Sequence, residues 1–587
     1  MHIGRVAISG FRNFRDLELT DLPSTLVIVG ENGTGKSNFL HALRLVLDPS
    51  LPDAARQLEA EDFWDGFDAA FNGNTVMVSA DLIGFEGDEK AMALLSDCLV
   101  AASPMVARLT YAYRPRPLVE TPQTGADYEF VLYGGDREDQ RVGREVLQFV
   151  SIRVLPALRD AENDLGSRRS PLRRLLDQVD LDQTQLELAQ DQIAGAGEAL
   201  LDDDGVAGIN RGITNRLSEM VGDEFAVATT LGVAPTDAQQ LVRSIRLFID
   251  EGKQRTVGQA SLGTANLLYL ALLLEQISAQ VSAGEVVTTV LAVEEPEAHL
   301  HLHLQRVLFR HLLDDSRPLV VTTHSPHLAS VAPLSSITLL RNVGGESAGF
   351  HTRSLNLEPG VEADLERYLD VTRAEMLFAK GVILVEGAAE EFLVPAFAIG
   401  CGFDLDAHGV TVCSVRGIDF FPYRLLLGKK GLNIPHVIIT DGDPAGDGSP
   451  AGIRRGRSLV GTRTRARVDR ALDEDSYCEA KRALRAKNIF VGETTLELDL
   501  IPVARDAMFD AYATLVSSDN KQRKFGQEID AVRSGANLSS EAVLNRIGRI
   551  GKGRYAQRLA SHLAGVEPPE YIKDAIAQIR SMVRIDE

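Results

Sequence analysis

Residues 26–37, Leu26-Val-Ile-Val-Gly30-Glu-Asn32-Gly33-Thr-Gly35-Lys36-Ser37, decide how the chain is read. Four apolar residues lead into Gly30, as in a buried strand, and Ser37 to Leu47 carries helical spacing. The turn between them matches G-x-x-x-x-G-K-[ST] in full. In that strand-turn-helix setting, backbone amides close around β- and γ-phosphates at a helix amino end, Lys36 adds a cation, and Ser37 offers a hydroxyl to Mg²⁺. Gly30, Asn32, Gly33, Gly35, Lys36 and Ser37 are therefore candidate nucleotide-binding residues.

The surrounding composition is that of a globular protein. The 587 residues are 44% hydrophobic and 25% charged, which excludes disordered and fibrous classes and leaves room for three or four folding units. The longest unbroken apolar run, Leu267 to Leu274, is far short of the roughly 18–20 residues that cross a bilayer. The start of the chain, Met1-His-Ile-Gly-Arg-Val, lacks the layout of a secretion signal, and the four cysteines are scattered. A cytoplasmic protein without a membrane partner is expected. A net charge of −22 repels polyanions at long range, so a nucleic-acid partner has to be held by local basic patches or metal ions.

Downstream of the phosphate loop, Val290-Leu-Ala-Val293-Glu294-Glu295-Pro296-Glu297 is an apolar strand ending in paired carboxylates. Glu294 falls where it can reach Mg²⁺, and Glu295 where it can polarise an attacking water. His324, after the strand Pro318 to Val321, can hydrogen-bond a γ-phosphate, and Ser261 and Gly263 open a long apolar helix whose amides can bind another subunit's γ-phosphate. His299 and His303, four apart, would pair on a helix as zinc ligands do, but their place after Pro296-Glu297 reads instead as a linking segment.

A second constellation lies beyond residue 370, after a linker-like stretch containing Gly344, Gly345 and Gly349. Glu386 ends the apolar run Val382 to Val385, and Glu390 falls one helical turn later. Asp441 and Asp443 end Val437 to Thr440 at i and i+2, which strand alternation would point to one side. Parallel strands would bring these acids to one sheet edge, where mutual repulsion calls for one or two divalent ions. Two ions about 4 Å apart can activate water and stabilise a leaving oxygen in phosphodiester cleavage. Residues 451–470 reverse the acidic trend, with arginines at 454, 455, 457, 463, 465, 467 and 470, and could hold a DNA backbone beside the metals.

The order of the first elements resembles the ABC-type ATPase heads of the SMC and RecF group, in which two heads sandwich two ATP molecules. Gly10-Phe-Arg12-Asn13-Phe14 resembles their opening segment and makes Arg12 a nucleotide-side residue; Gln57 is the nearest candidate for their Q-loop. Glu294 stands where many such heads have Asp. The E-G…D-x-D pattern resembles the Toprim domain. The two together resemble the OLD (overcoming lysogenization defect) nucleases, which Leu155-Pro-Ala-Leu-Arg159-Asp160, Glu294-Glu-Pro-Glu-Ala-His-Leu-His301 and Asp364-Leu-Glu-Arg367 also fit.

That resemblance implies an α/β chain in four parts: an ATPase portion at 1–157, a helical dimerisation insertion at 158–235, the second ATPase portion at 236–365, and a Toprim nuclease domain with a helical C-terminal part at 370–587. It implies Glu386 as acid/base and metal residue and Asp441 and Asp443 as metal ligands. Glu390 and Glu497 would be further ligands, Lys552 would stabilise the developing phosphorane charge, and Asp419 would be an extra ligand. ATP, Mg²⁺ with the nucleotide, and Mg²⁺ or Mn²⁺ in the nuclease site are the implied cofactors. The implied activity is an ATP-regulated DNA endonuclease of antiphage defence or DNA processing, acting as a homodimer or higher homo-oligomer, with a UvrD-type helicase as partner in one class. The alternative is a RecF- or SMC-like ATP-switched repair scaffold with an inactive Toprim domain. RecF-like chains need no second acidic constellation, and the long heptads of SMC-like chains are absent.

Overall fold

The computed structural model describes residues 1–157, 170–179, 182–221, 245, 247–249, 255–284, 286, 288–355, 357–369, 371–443, 451–535 and 537–585. The chain divides into two compact units, one made of residues 1–157 with 288–587 and the other of residues 158–287.

The first unit holds three sheets. An antiparallel sheet orders Phe14–Leu19, His2–Phe11, Val76–Ile83, Met105–Pro115 and Leu99–Ala102, with Tyr128–Gly134 also paired to Met105–Pro115. The second sheet orders Glu346–His351, Ile337–Val343, Thr25–Gly30, Leu319–Thr323, Thr288–Glu294 and Val150–Leu155. Its strands are parallel except for Glu346–His351. Thr25–Gly30 is buried almost throughout, as a strand covered on both faces must be, so its apolar run needs no alternation. The register sets Val29 beside Thr323 and Thr322 beside Glu294, which brings the phosphate loop, the paired acids and His324 to one carboxyl edge. Helix Lys36–Leu47 closes the loop and buries Phe39, Leu40, Leu43, Val46 and Leu47.

The glycine-rich stretch near 345 is not a linker. Ile337–Val343 and Glu346–His351 form a hairpin in which Val343 faces Glu346 across Gly344 and Gly345, both at positive φ. A two-residue turn with positive φ at both positions matches the right-handed strand twist, and glycine adopts it without strain.

The third sheet is parallel throughout and orders Val410–Ser414, Gly381–Val385, His436–Thr440 and Ile489–Val491. A single apolar cluster joins its strands to helix Ala388–Gly400 and to the C-terminal helices, through Phe397, Met508, Tyr512, Phe525, Tyr555, Leu559 and Ile572. Asp364 and Arg367 lie on helix Pro359–Tyr368.

The second unit contains helices Pro171–Gln178, Gln183–Leu201, Asp204–Val221 and Leu262–Ser282. It extends past residue 235 and takes in the apolar helix expected in the second ATPase portion. Arg159 and Asp160 lie outside the described residues. Helix Leu262–Ser282 is 21 residues long and, among the described residues, is the one helix long and apolar enough to cross a membrane by length and composition. It buries the polar side chains Asn266 and Gln276.

Candidate functional site

At the phosphate loop, Lys36 is 6% exposed and its Nζ donates to the carbonyls of Gly30 (2.9 Å) and Glu31 (2.8 Å). Burial pulls its pKa down to about 8 against the opposing pull of Glu295, Glu297, Glu294 and Glu31. Gly30 is required by close approach, since a Cβ would lie 2.5 Å from the backbone oxygen of Leu340, and Gly35 by its φ of 94°, where a Cβ would also meet the Asn13 amide at 2.1 Å. Gly33, at positive φ, and Asn32 are exposed at the mouth of the loop. Ser37 Oγ donates to Glu294 Oε1, so the two groups placed for Mg²⁺ are already in contact.

A neutral histidine links the cation to the second acid. His324 Nδ1 is 3.3 Å from Lys36 Nζ and its Nε2 is 3.1 Å from Glu295 Oε1. Burial, then Lys36, lower its pKa, so with Nδ1 accepting from the ammonium, Nε2–H is left to donate to Glu295. Glu295 itself sits at φ 45°, a left-handed conformation imposed just past the strand. Arg12 also has positive φ, and its guanidinium donates to Asp62 and to Asn38 Oδ1 on the loop helix (2.8 Å). The sequence reading missed Glu297, whose Oε1 accepts from Thr323 Oγ1 (2.7 Å) and His324 N (3.0 Å). Burial raises its pKa. A third acid in Glu-Glu-Pro-Glu was the available signal.

Helix Leu302–Asp314 begins after His301, and His299 sits in the preceding turn at φ 62°, so the helical pairing of His299 with His303 does not form. Instead the rings of His301 and His303 stack, centroids 5.6 Å apart. Gln57 is exposed at the end of a short 3-10 turn. Ser261 caps helix Leu262–Ser282, its Oγ accepting from Thr264 N (3.2 Å), with Gly263 buried in the first turn.

In the third sheet, Glu386 follows Gly381–Val385 and Asp441 follows His436–Thr440, adjacent parallel strands paired Leu384 to Ile438. Glu386 Oε1 accepts from Asp441 N (2.9 Å) and from Thr440 Oγ1. Glu386, Asp441 and Asp443 each offer one oxygen within 4.8 Å of the others. Strand alternation is not what aligns the two aspartates, because the strand ends at Thr440 and Asp443 turns back at φ 39°. Glu390, in the first turn of helix Ala388–Gly400, and Glu497, in Leu496–Asp499, are both buried.

Burial holds Glu390 near 7, with Glu497 and Glu386 adding repulsion, and holds Asp441 near 8, with Glu390, Glu386, Asp443 and Glu497 adding theirs. Glu497 Oε1 receives Lys552 Nζ at 3.0 Å, while its Oε2 is buried without a hydrogen-bond partner. Burial opposes the charge on Lys552, but Glu497, then Asp441 and Glu390, outweigh it and raise the ammonium pKa. Five convergent carboxylates, one with an orphaned buried oxygen, fit a divalent cation.

Asp419 does not join the cluster; it is exposed and accepts from Phe421 N (3.3 Å). Nor is the arginine run uniformly outward. Arg455, in helix Ala451–Ser458, turns in and donates to Glu386 Oε1 (2.9 Å), Asp443 Oδ2 (3.1 Å) and Asp441 O (2.7 Å). It neutralises part of the acidic cluster from within. Arg457 pairs with Asp469 and Arg465 bonds Ser458 O (3.2 Å). Arg463, Arg467 and Arg470 remain exposed at i, i+4 and i+7, one face of helix Thr462–Asp473.

An ATPase fold with a phosphate loop, followed by a parallel sheet whose strand ends gather acids, defines an ATPase–Toprim protein. The family model described as "AAA domain, putative AbiEii toxin, Type IV TA system" matches residues 26–330, and the one described as "Overcoming lysogenization defect protein-like, TOPRIM domain" matches residues 377–443. The chain is 24% identical to the OLD nuclease of Thermus scotoductus over 89% of this chain and 96% of that one. It is 23% identical to the endonuclease GajA of Bacillus cereus, over 76% and 75%. The solved C-terminal region of the Burkholderia pseudomallei OLD protein is 38% identical, covering 35% of this chain and 99% of that one, with a TM-score of 0.31. The chain belongs to the OLD family of ATPase–Toprim proteins.

Proposed function

We propose that the chain is an ATP-regulated, divalent-metal-dependent DNA endonuclease. The observation that carries this reading is the convergence of Glu386, Asp441 and Asp443 within one ion's reach, backed by Glu390 and Glu497. A bound cation would supply a Lewis acid that lowers the pKa of water and offsets charge on phosphate oxygens. Glu386, Asp441 and Asp443 would hold it, Glu390 and Glu497 a second one. Glu386 would take the proton from the attacking water, and Lys552 would face the charge growing on the phosphate. Mg²⁺ or Mn²⁺ suits an all-oxygen set. In the head, Lys36 and the loop amides would bind ATP, Ser37 and Glu294 its Mg²⁺, and Glu295, oriented by His324, the attacking water. Ser261 and Gly263 of a second copy would complete the nucleotide site, and the helices of residues 158–235 would supply dimer contacts.

Supercoiled plasmid incubated with the protein and Mn²⁺ or Mg²⁺ should be nicked, and chelation or Asp441→Ala should stop it. Nicking by Asp441→Ala at the wild-type rate would overturn the reading in favour of an ATP-switched scaffold.

Metal binding has a thermal signature. Asp441 and Glu390 titrate near 8 and 7 in the fold but near roughly 4 when unfolded, so the folded metal-free chain holds more protons across that window. Its stability therefore falls as pH rises from about 4 to about 8. A cation needs the deprotonated oxygens, so Mn²⁺ should raise the unfolding temperature little at pH 6 and much more at pH 8. An equal rise at both, or one retained in Asp441→Asn, would contradict a carboxylate site.

DNA would lie along the exposed arginine face. Each phosphate contact adds about 0.9 to the slope of log K against log salt. Replacing Arg463, Arg467 and Arg470 together by Gln should lower that slope by about 2–3 and weaken binding alike for unrelated sequences. An unchanged slope would place the DNA elsewhere.

A further inference from the structure

Arg341 sits at a junction between the two chemistries. It lies on Ile337–Val343, the strand paired in parallel with the phosphate-loop strand, with Leu339 opposite Val29 and Leu340 opposite Gly30. The fit there is tight: no Cβ is tolerated on Gly30 because Leu340 O is in the way. One residue beyond Leu340, the Arg341 guanidinium leaves its own sheet. Its two terminal nitrogens donate to Asn433 O (2.7 Å) and Lys380 O (3.4 Å).

Both carbonyls lie where the chain enters a strand of the third sheet. Lys380 immediately precedes Gly381–Val385, the strand that ends at Glu386, and Asn433 lies three residues before His436–Thr440, the strand that ends at Asp441. The two strand entries are also tied to each other by Val382 N donating to Pro435 O (2.9 Å). Asn433 is fixed at φ 50° and Ile434 N donates to Leu427 O (2.9 Å), so this entry is a defined bend. Arg341 thus grips the amino ends of two buried parallel strands whose carboxyl ends carry metal-binding acids. A cavity of about 380 Å³ lies beside this grip, lined by Glu31, Asn32 and Gly33 of the phosphate loop together with Arg341, Phe378 and Lys380. The phosphate loop therefore has room to move on this side.

We infer that Arg341 is the positioning residue through which nucleotide at the phosphate loop sets the relative placement of Glu386 and Asp441. A shift of Gly30 on nucleotide binding has to move Leu340, because their backbones touch, and Arg341 carries that shift to both strand entries at once. The strands are short and buried, so a displacement at Lys380 reaches Glu386 about 20 Å away as a rigid-body movement, at about 3.3 Å per residue. The two carboxylates need not move equally, because Arg341 holds one carbonyl more closely than the other. This inference rests on the nuclease reading.

The test compares wild type with Arg341→Gln, whose shorter neutral side chain has one donor nitrogen and cannot span both carbonyls, and Arg341→Lys, which keeps the charge and a single donor nitrogen at greater reach. Two quantities are read in the full-length protein: the ratio of Mn²⁺-dependent plasmid nicking with and without ATP, and hydrogen exchange of residues 381–385 and 436–440 with and without a non-hydrolysable ATP analogue. Coupling between sites is typically about 5-fold or more. The wild-type ratio should depart from one by that much in either direction, fall to within about 2-fold of one in Arg341→Gln, and lie between in Arg341→Lys. The analogue should alter exchange in both strands of the wild type and in neither strand of Arg341→Gln, while ATP binding persists. A purely structural role would lower nicking with and without ATP by the same factor and leave the ratio intact, which overturns the inference. A wild-type ratio of one overturns it as well, whereas absence of all metal-dependent nicking in wild type removes the nuclease reading instead.

Discussion

Glu386→Gln should lower plasmid nicking by about 10³-fold or more while leaving the protein folded and still able to bind ATP. The size follows from two losses at one atom set, a metal ligand and the base for the attacking water, the second alone contributing about 10²–10⁴-fold. The fold should survive because the change has opposite effects on its neighbours. The amide oxygen can still accept from Asp441 N and from Arg455. Removing the negative charge relieves repulsion that helps raise the pKa of Asp441 and Glu390. Metal-free Glu386→Gln is therefore expected to unfold no lower than wild type, and its Asp441 should titrate at lower pH. Nicking kinetics, thermal unfolding and pH-dependent unfolding check the three parts. A variant that nicks within about tenfold of wild type would exclude Glu386 from the chemistry.

Lys36→Ala and Glu295→Gln should separate nucleotide binding from turnover. Lys36 is buried and desolvated, and hydrogen bonds to a charged group contribute about 1.5–3 kcal/mol, so its loss should weaken ATP binding by about 10–100-fold. Because the empty site pulls the Lys36 pKa down to about 8, removing the ammonium should not cost thermal stability without nucleotide. Glu295→Gln keeps the loop intact, so ATP should still bind, but hydrolysis should fall by about 10²–10⁴-fold with the loss of the group that polarises water. Titration calorimetry and phosphate release distinguish the pair. If Lys36→Ala binds ATP as wild type does, the loop is not the nucleotide site.

Much of the candidate site was legible because its chemistry is local. A phosphate loop is eight consecutive residues between a strand and a helix, and an acid closing an apolar run announces a strand end. Glu386, Glu390, Asp441 and Lys36 could be found this way. Arg455 could not, since among seven arginines in twenty residues nothing marks the one that turns in. Gly344 and Gly345 misled for a related reason: a pair of glycines serves a flexible connector and a tight hairpin equally well, and only the pairing of Val343 with Glu346 distinguishes them. His299 and His303 fit a helical spacing, but the helix starts at Leu302. Glu297 was hidden because its partners, Thr323 and the His324 amide, come from the neighbouring strand.

The sequence alone determined that strands would end in phosphate-binding amides and in acids, because turn and strand-end chemistry depends on residues a few positions apart. Tertiary structure decided which ends meet. The parallel order Val410–Ser414, Gly381–Val385, His436–Thr440, Ile489–Val491 sets Glu386 beside Asp441, and packing of the C-terminal helices brings Lys552 to Glu497. Strand order and helix packing depend on burying apolar faces across hundreds of residues, and no short stretch of chain records that choice.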